Sequence, residues 1–487
     1  MGTVKPTRAA AWFALAFVLV HSVALTLTPM VTSDEVTLSA AARHWQTHGF
    51  VAMPLFGGNG SLWDHAYYWH PPGHLFTLWL AYHAFGFSLL VTRAVPLFFG
   101  ALAVSQLILL VTELGGSTRA ALLAGGFLAL HPLFWWVCRG GRMDPAVILF
   151  GLGAVRLWLR GGLERAPGWR RAALAGACIG VASLFHVLGL IWGPALAAGD
   201  LAARRRVAWR PLLIAGVCAA IPLAVWMLVI CARGDLPAWQ EQFLEMAVRM
   251  RAAHQPWWIR PWLEFRRCLA VFQLTPLLGL AVVGGGASWF ARGDRARPSF
   301  RFLIGAFVAS TALVTFVMQK DTGAYPLYWQ VWIVMAAGLG WAGYLESGAR
   351  RATLPGRALL LGGLLNGALL AAFTLAVALY QRAGRDYGYV EEFARQHLAK
   401  GANVVGPPQM WYAVEDAGAN LRIWRDPDAA QDDFLFKLPQ DPAPRGFEKI
   451  GTIPERLPKI AGRYFSHITY AYELWVSDDS RFRPTRH

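Results

Sequence analysis

Apolar stretches alternate with short, arginine-rich connections over most of this chain. A helix needs roughly 17–25 residues to cross a bilayer. On that measure the apolar runs predict spans at 9–28, 88–114, 119–137, 143–159, 172–188, 189–203, 211–232, 269–290, 302–318, 325–345 and 358–380. The first run follows Lys5 and Arg8 and is too long and too evenly apolar for a cleaved signal peptide. It is expected to remain as a span, with the N-terminus in the cytoplasm. A shorter apolar piece, 75–87, suits the interface better than a crossing.

Charge decides one ambiguous stretch. Residues 172–203 could form a single long helix, but Arg204-Arg205-Arg206 would then lie outside. A break at 186–189, with Gly193-Pro194 loosening the second half, returns that triplet to the cytoplasm. The same break places Arg292, Arg295, Arg297 and Arg301, then Arg350, Arg351 and Arg357, on the cytoplasmic side, as the positive-inside rule requires. Eleven spans result, and the C-terminus lies outside. After Tyr380 the chain turns polar: residues 385–487 show a helical pattern at 389–399 and strand-like runs at 403–405, 421–424, 434–436 and 472–476. The predicted architecture is an α-helical polytopic membrane protein over residues 1–380, with a small extracytoplasmic α/β domain over 381–487.

Composition supports that class. Of 487 residues, 56% are hydrophobic and 15% charged, where soluble proteins carry about a quarter charged; mean hydropathy is +0.38. A formal net charge of +16 would suit nucleic acid. The arginines, however, sit in short loops beside apolar spans, where anionic lipid accounts for them. No basic helix, zinc-knuckle spacing or aromatic RNA-binding pattern accompanies them. Cys138, Cys178, Cys218, Cys231 and Cys268 are scattered without a C-x-x-C pair and read as free, buried thiols.

The candidate chemistry gathers in the first outer loop, 31–75. Asp34 and Glu35 stand side by side at a bilayer boundary, where carboxylates are costly and so mark function by default. The plainer reading is that they mark the interface and cap a helix over 36–48; residue chemistry alone leaves both open. Asp144 at the outer end of a span could likewise cap its helix, but Arg142 beside it favours a site role. His44/His48 and His70/His74 have the i,i+4 spacing of metal ligands. Interfacial histidines without a metal are the plainer reading, and no metal is assigned. Trp257, Trp258 and Trp262, with Arg260, Arg266 and Arg267, form either an amphipathic lid or a surface-lying anchor in a later outer loop.

Several motifs occur in a telling order: Asp34-Glu35 after the first span, Pro71-Pro72 before re-entry, Arg93 at the next span, and Arg142-Met143-Asp144 opening another. Leu184 to Gly189 comes next at a bend, then Tyr325-Pro326-Leu327-Tyr328 at a late span. Together they resemble the C-type glycosyltransferases, in particular the protein O-mannosyltransferases and the bacterial lipid A aminoarabinose transferases. That resemblance implies a GT-C fold in a bacterial inner membrane, with a periplasmic C-terminal domain. It implies a polyprenyl-phosphate-linked sugar as donor, with no further cofactor, and a lipid, glycan or protein acceptor. It implies catalytic roles for Asp34, Glu35 and Asp144, with Asp34 as general base and Glu35 orienting, and a donor phosphate among His70, Arg142, His186 and Lys320.

The chemistry fits on its own terms. Transfer with inversion needs a carboxylate to take the acceptor's proton and cationic groups for the departing phosphate. A carboxylate at the lipid–water boundary reaches both substrates. Two departures stand out: His70 and His186 replace lysines of the family pattern, and Val36-Thr37-Leu38 replaces the Arg-Tyr that comes after the Asp-Glu pair in aminoarabinose transferases. A lipid or sugar flippase is the rival class. It should carry broken helices or midplane charges, and here the charges gather at the outer edge, His186 excepted.

Overall fold

The computed structural model describes residues 6–56, 62–160, 162–252, 255–292, 297–318, 324–347, 353–423, 432–454 and 470–482. Helix α1 (Pro6–Ser22) leads into the outer loop, which holds α2 (Ser33–His48) and α3 (Pro72–Phe85). Next come α4 (Leu89–Glu113), α5 (Thr118–Ala129), α6 (Pro132–Arg139), α7 (Asp144–Leu159), α8 (Trp169–Phe185), α9 (Trp192–Arg204) and α10 (Trp209–Ala232). Two further helices, α11 (Leu236–Ala252) and α12 (Arg260–Val271), precede α13 (Pro276–Arg292), α14 (Pro298–Ala312), α15 (Leu327–Glu346) and α16 (Leu354–Tyr380). A π turn, Leu313–Met318, extends α14.

Every expected span overlaps a helix, although 9–28 runs past the end of α1 and 269–290 starts in α12 and crosses the turn before α13. Among the described residues, four helices are long and apolar enough to cross a membrane, or five if α5 and α6, bent by 64°, count as one. The others fall short for identifiable reasons: α9 has 13 residues, and α15 carries Trp329, Gln330, Trp332 and Trp341 in its apolar face. The break proposed at 186–189 is present. His186 is extended (φ −156°, ψ 138°) and a 3-10 turn, Val187–Ile191, separates α8 from α9. Gly189 permits it, since a Cβ there would lie 2.3 Å from the Ala182 carbonyl carbon.

Local signals differ from expectation in small, explicable ways. The helix after the first span is capped by Thr32, whose hydroxyl accepts from the Glu35 N–H at 3.3 Å, so Asp34 and Glu35 sit inside its first turn and are not its cap. The interfacial piece begins earlier than residue 75 because Pro72 occupies a first-turn position, where its missing N–H costs nothing. All five cysteines are free, as expected, but only Cys138 is buried and Cys231 is exposed.

The C-terminal domain opens with α17 (Arg382–Arg385) and α18 (Gly388–His397), and α19 (Trp411–Asp416) lies between its first two strands. The strands are β1 (Asn403–Val405), β2 (Asn420–Arg422), β3 (Phe434–Lys437), β4 (Phe447–Ile453) and β5 (Tyr472–Ser477), in the order β2-β1-β3-β5-β4. β1 runs parallel to β2 and β3, and β5 runs antiparallel to β3 and β4. β4 escaped the sequence pattern because it is an edge strand whose register shifts between Lys449 and Gly451, which breaks the period-two alternation. The expected run at 421–424 ends at Arg422, and Trp424 lies outside the described residues.

This domain is fastened to the first outer loop. The Val31 N–H donates to Tyr470 Oη at 3.1 Å, the Ile423 N–H donates to the Leu55 carbonyl at 3.1 Å, and Arg43 pairs with Glu415 at 3.2 Å. Tyr412 Oη lies 2.7 Å from Ser39 Oγ and 3.2 Å from Thr92 Oγ1, tying α19 to α2 and α4.

Membrane-type helix packing relies on small residues that let backbones approach. The closest approach joins α13 and α15, where a Cβ on Gly340 would lie 1.9 Å from the Gly285 carbonyl oxygen. Gly340→Ala should therefore force the helices apart and lower the unfolding midpoint in detergent, by about 1–3 kcal/mol on the usual scale of overpacking. Gly343→Ala, which meets nothing within 4 Å, should leave it unchanged. Equal midpoints for the two variants would contradict this packing.

Candidate active site

Successive residues of an α-helix point about 100° apart, so the two carboxylates in the first turn of α2 diverge. Glu35 turns inward. Arg93 of α4 grips it with Nε–Oε1 at 2.7 Å and Nη2–Oε2 at 2.9 Å, and neither side chain has any exposure. The third arm of Arg93 donates to the Leu25 carbonyl at 2.9 Å. Gly141 closes over the pair: its φ of +65° suits glycine, and a Cβ would lie 2.6 Å from Glu35 Cγ.

Asp34 turns outward, with 60% of its side chain exposed. Its Oδ2 accepts from Arg142 Nη1, and Arg142 Nε donates to Asp144 Oδ2 at 2.8 Å. The guanidinium lies over Trp136, 4.9 Å from the ring centroid. Asp144 opens α7 with its carboxylate buried at a helix N-terminus, which favours negative charge. Its Oδ1 accepts from Tyr328 Oη at 2.8 Å. Two carboxylates thus flank one arginine, one held from below and the other facing water.

The histidines complete the ring. Pro71, Pro72 and Gly73 start α3 so close to the end of α8 that a Cβ on Gly73 would lie 2.7 Å from the Leu184 carbonyl oxygen. That contact brings His70 and His186 together, with centroids 6.2 Å apart. His186 stands 5.9 Å from Tyr325, which stacks at 6.5 Å on Tyr328. The Leu188 N–H donates to His186 Nδ1 at 3.0 Å, so the proton of the neutral ring sits on Nε2. Tyr67 Oη lies 2.5 Å from His70 Nδ1. Burial, with Asp34 nearby, pushes the Tyr67 phenol well above its ordinary value. Tyr67 therefore stays protonated, and its hydroxyl anchors the His70 ring through Nδ1, either giving a proton to that nitrogen or accepting one from it. Beneath them His74 Nε2 lies 3.1 Å from the Gly141 carbonyl, and burial lowers its pKa to about 4, so the neutral ring donates there.

The structure thus brings Asp34, Arg142 and Asp144 into contact and places His70 beside His186, with Glu35 directly behind. Lys320 lies outside the described residues. Sequence reasoning missed Tyr67, Trp136 and Gln242 as site builders. Gln242 of α11, fully enclosed, donates to the Ala66 carbonyl and accepts from the Tyr68 N–H, both at 2.7 Å, and so fixes the strand of loop leading to His70. No periodic signal marks these residues; the one clue was polarity inside a short, aromatic-rich stretch. In the tryptophan-rich segment Glu264 accepts from Trp329 Nε1 at 2.7 Å and pairs with Arg267 at 3.0 Å, which fastens α12 to α15. Among the described residues no group of three His, Cys, Asp or Glu side chains converges in a way that could hold a metal ion.

The family model for dolichyl-phosphate-mannose-protein mannosyltransferase matches residues 40–199, from the middle of α2, past Asp34 and Glu35, to within α9. In overall structure the chain is similar to ArnT from Cupriavidus metallidurans bound to undecaprenyl phosphate. The TM-score is 0.63 at 14% identity, over 99% of this chain and 100% of that one. The chain has the fold of a C-type glycosyltransferase. The oligosaccharyltransferase of Archaeoglobus fulgidus in complex with Zn and sulfate shares it at TM-score 0.53 and 13% identity, over 84% of this chain and 62% of that one. So does the arabinofuranosyltransferase AftD from Mycobacteria, at 0.53 and 15%, over 98% of this chain and 40% of that one. No curated protein matches in sequence. The resemblance drawn from the motifs therefore holds: family model and fold alike point to glycosyltransferases, and at these identities the structural likeness is one of fold.

Removing one partner of a buried ion pair strands the other, at about 3–5 kcal/mol. Glu35→Gln should therefore cut the unfolding midpoint and the yield of monodisperse protein, while Asp34→Asn, at an exposed carboxylate, should leave both near wild type. Equal losses in the two variants would contradict the division of roles.

Proposed function

We propose that this protein is a bacterial inner-membrane glycosyltransferase that moves a sugar from a polyprenyl-phosphate donor to an acceptor at the outer face, with Asp34 as general base. The observation that carries the proposal is the pairing of one water-facing carboxylate, held by Arg142, with two neighbouring histidines whose Nδ1 atoms are engaged, His70 by Tyr67 and His186 by the Leu188 N–H. The donor phosphate would sit against the Nε2–H groups of His70 and His186. Arg142 stands behind; Lys320, the further cation expected from the sequence, lies outside the described residues. The acceptor hydroxyl approaches Asp34 from water and gives up its proton as its oxygen attacks the anomeric carbon. The bond from that carbon to the phosphate oxygen breaks, and the electron pair leaves on the phosphate, where the Nε2–H groups and Arg142 stabilise it. Asp144 and Glu35 act as anchors in this scheme, the first setting Arg142 and the second setting the turn that presents Asp34. The phosphate lipid seen with the Cupriavidus protein supports the choice of donor.

The fastening of the C-terminal domain to the first outer loop supports the topology. Residues 31–75 and the C-terminal domain share one side, so an even number of crossings separates them and the total is odd. Eleven spans, N-terminus inside, satisfy that parity and keep the arginine-rich loops cytoplasmic. A reporter fused after His487 should therefore behave as periplasmic. Cytoplasmic reporter activity would overturn the count.

Asp34→Asn should lower turnover by about 10²-fold or more, the usual scale for losing a general base, with donor affinity little changed. A histidine loses its charge near neutrality whereas a lysine keeps it. Activity should accordingly fall as pH rises past neutral in the wild type and persist to higher pH in His70→Lys. Near-normal turnover by Asp34→Asn, or an unchanged pH profile for His70→Lys, would count against these roles.

A further inference from the structure

The chain enters α15 through Tyr325-Pro326-Leu327-Tyr328, and the last of these residues reaches the Asp34 centre from behind. Tyr328 is 1% exposed, and among the described residues its phenol makes a single hydrogen bond, to Asp144 Oδ1 at 2.8 Å. The chain on either side is fixed. The Tyr328 ring stacks on Tyr325 at 6.5 Å, and Trp329 donates to Glu264 of α12 at 2.7 Å. The hydroxyl is thus held on one acceptor.

Asp144 is sealed from water. A carboxylate in that position takes up a proton unless hydrogen bonds and an opposite charge hold it ionised. Among the described residues two side chains do so, one on each oxygen: Arg142 Nε on Oδ2 and Tyr328 Oη on Oδ1, both at 2.8 Å. The other titratable groups that face it are His186 from the break after α8, His74 from α3 and Cys138 from α6. These act on it through space, and His74 is committed to the Gly141 carbonyl. A proton on Asp144 would have to sit on Oδ1, because Arg142 can only donate to Oδ2. It would push the phenol hydrogen off its acceptor and leave it buried with an unmade hydrogen bond, which is costly. The hydroxyl therefore favours the ionised carboxylate, and a phenyl ring of the same shape does not.

That charge matters because Arg142 is shared. Its Nε answers to the buried Asp144 and its Nη1 to the water-facing Asp34, so each carboxylate balances the pull of the other. A neutral Asp144 would let the guanidinium turn wholly to Asp34 and tie up its electron pairs. The centre would become less negative, so a phosphate would still bind while proton abstraction failed. We propose that Tyr328 is a positioning residue for the transfer proposed at Asp34: its hydroxyl keeps Asp144 ionised, and ionised Asp144 keeps Arg142 between its two carboxylates. The inference rests on that transfer for its kinetic test, and on the Tyr328–Asp144 bond alone for its spectroscopic one.

Infrared difference spectroscopy of the full-length protein in nanodiscs reads Asp144 directly, as the carboxyl band that Asp144→Asn removes. In the wild type that band should be absent at neutral pH and appear only in acid. Tyr328→Phe should bring it in about one to two pH units higher, the scale of one hydrogen bond to a charged group. Turnover of undecaprenyl-phosphate mannose, followed by release of undecaprenyl phosphate, should respond in step. The ratio of variant to wild-type turnover should drop as pH is lowered, while affinity for undecaprenyl phosphate holds. A merely structural loss would lower turnover by the same factor at every pH. The infrared arm needs no donor, so it decides on Tyr328 even where the mannose donor is refused, an outcome that concerns the donor and not this bond. A protonated Asp144 in the wild type at neutral pH overturns the inference even if Tyr328→Phe does not fold. A Tyr328→Phe protein whose Asp144 takes its proton at the wild-type pH, or whose turnover ratio is flat in pH, also overturns it.

Discussion

Glu35 and Arg93 form a water-free ion pair between the first turn of α2 and the second turn of α4, roofed by a glycine that admits no side chain. Such a pair adds little net stability against an apolar replacement, because desolvating both charges offsets most of their attraction. What it does add is uniqueness of arrangement: only one rotation of α2 about its axis lets Glu35 reach Arg93. That rotation sends the neighbouring Asp34 toward water and onto Arg142. The direction in which Asp34 points thus depends on a contact between two other side chains.

The remaining outer segments are arranged to hold that geometry still. Tyr470 and Tyr412 bring the C-terminal sheet onto the start and middle of α2, and Gln242 clamps the loop that ends in His70. Tyr328 reaches across from α15 to the far oxygen of Asp144. The proposed base and phosphate site, drawn from different helices, must be fixed to within a fraction of an ångström to act together, and cross-bracing by the C-terminal sheet braces α2, which carries Asp34.

Much of this was legible in the sequence, for physical reasons. Spans are visible because lipid demands long apolar runs, and the break at His186 because a triple arginine cannot lie on the wrong side. β5 is visible because buried and half-buried positions alternate along most of it, and β1 because two β-branched valines follow Asn403. Other features were hidden. Glu35 and Asp34 are adjacent and chemically alike, and only the burial of Arg93 separates an anchor from a candidate base. Tyr67 acts through a 2.5 Å contact with a residue three positions on, which no pattern of hydrophobicity records. β4 was lost in its bulge, and Thr32 outcompeted the carboxylates as cap because its hydroxyl reaches the N–H of the third residue on.

Transfer and transport make opposite demands on the same lipid-linked sugar, and one reconstitution separates them. Purified protein in liposomes would be given a polyprenyl-phosphate donor labelled in both sugar and lipid, with envelope lipid and glycan acceptors. The expected result is that the sugar label moves to an acceptor while unsugared polyprenyl phosphate accumulates. A donor that crosses the bilayer intact, with sugar and lipid still joined and no acceptor labelled, would contradict the assignment of a transferase centre at Asp34.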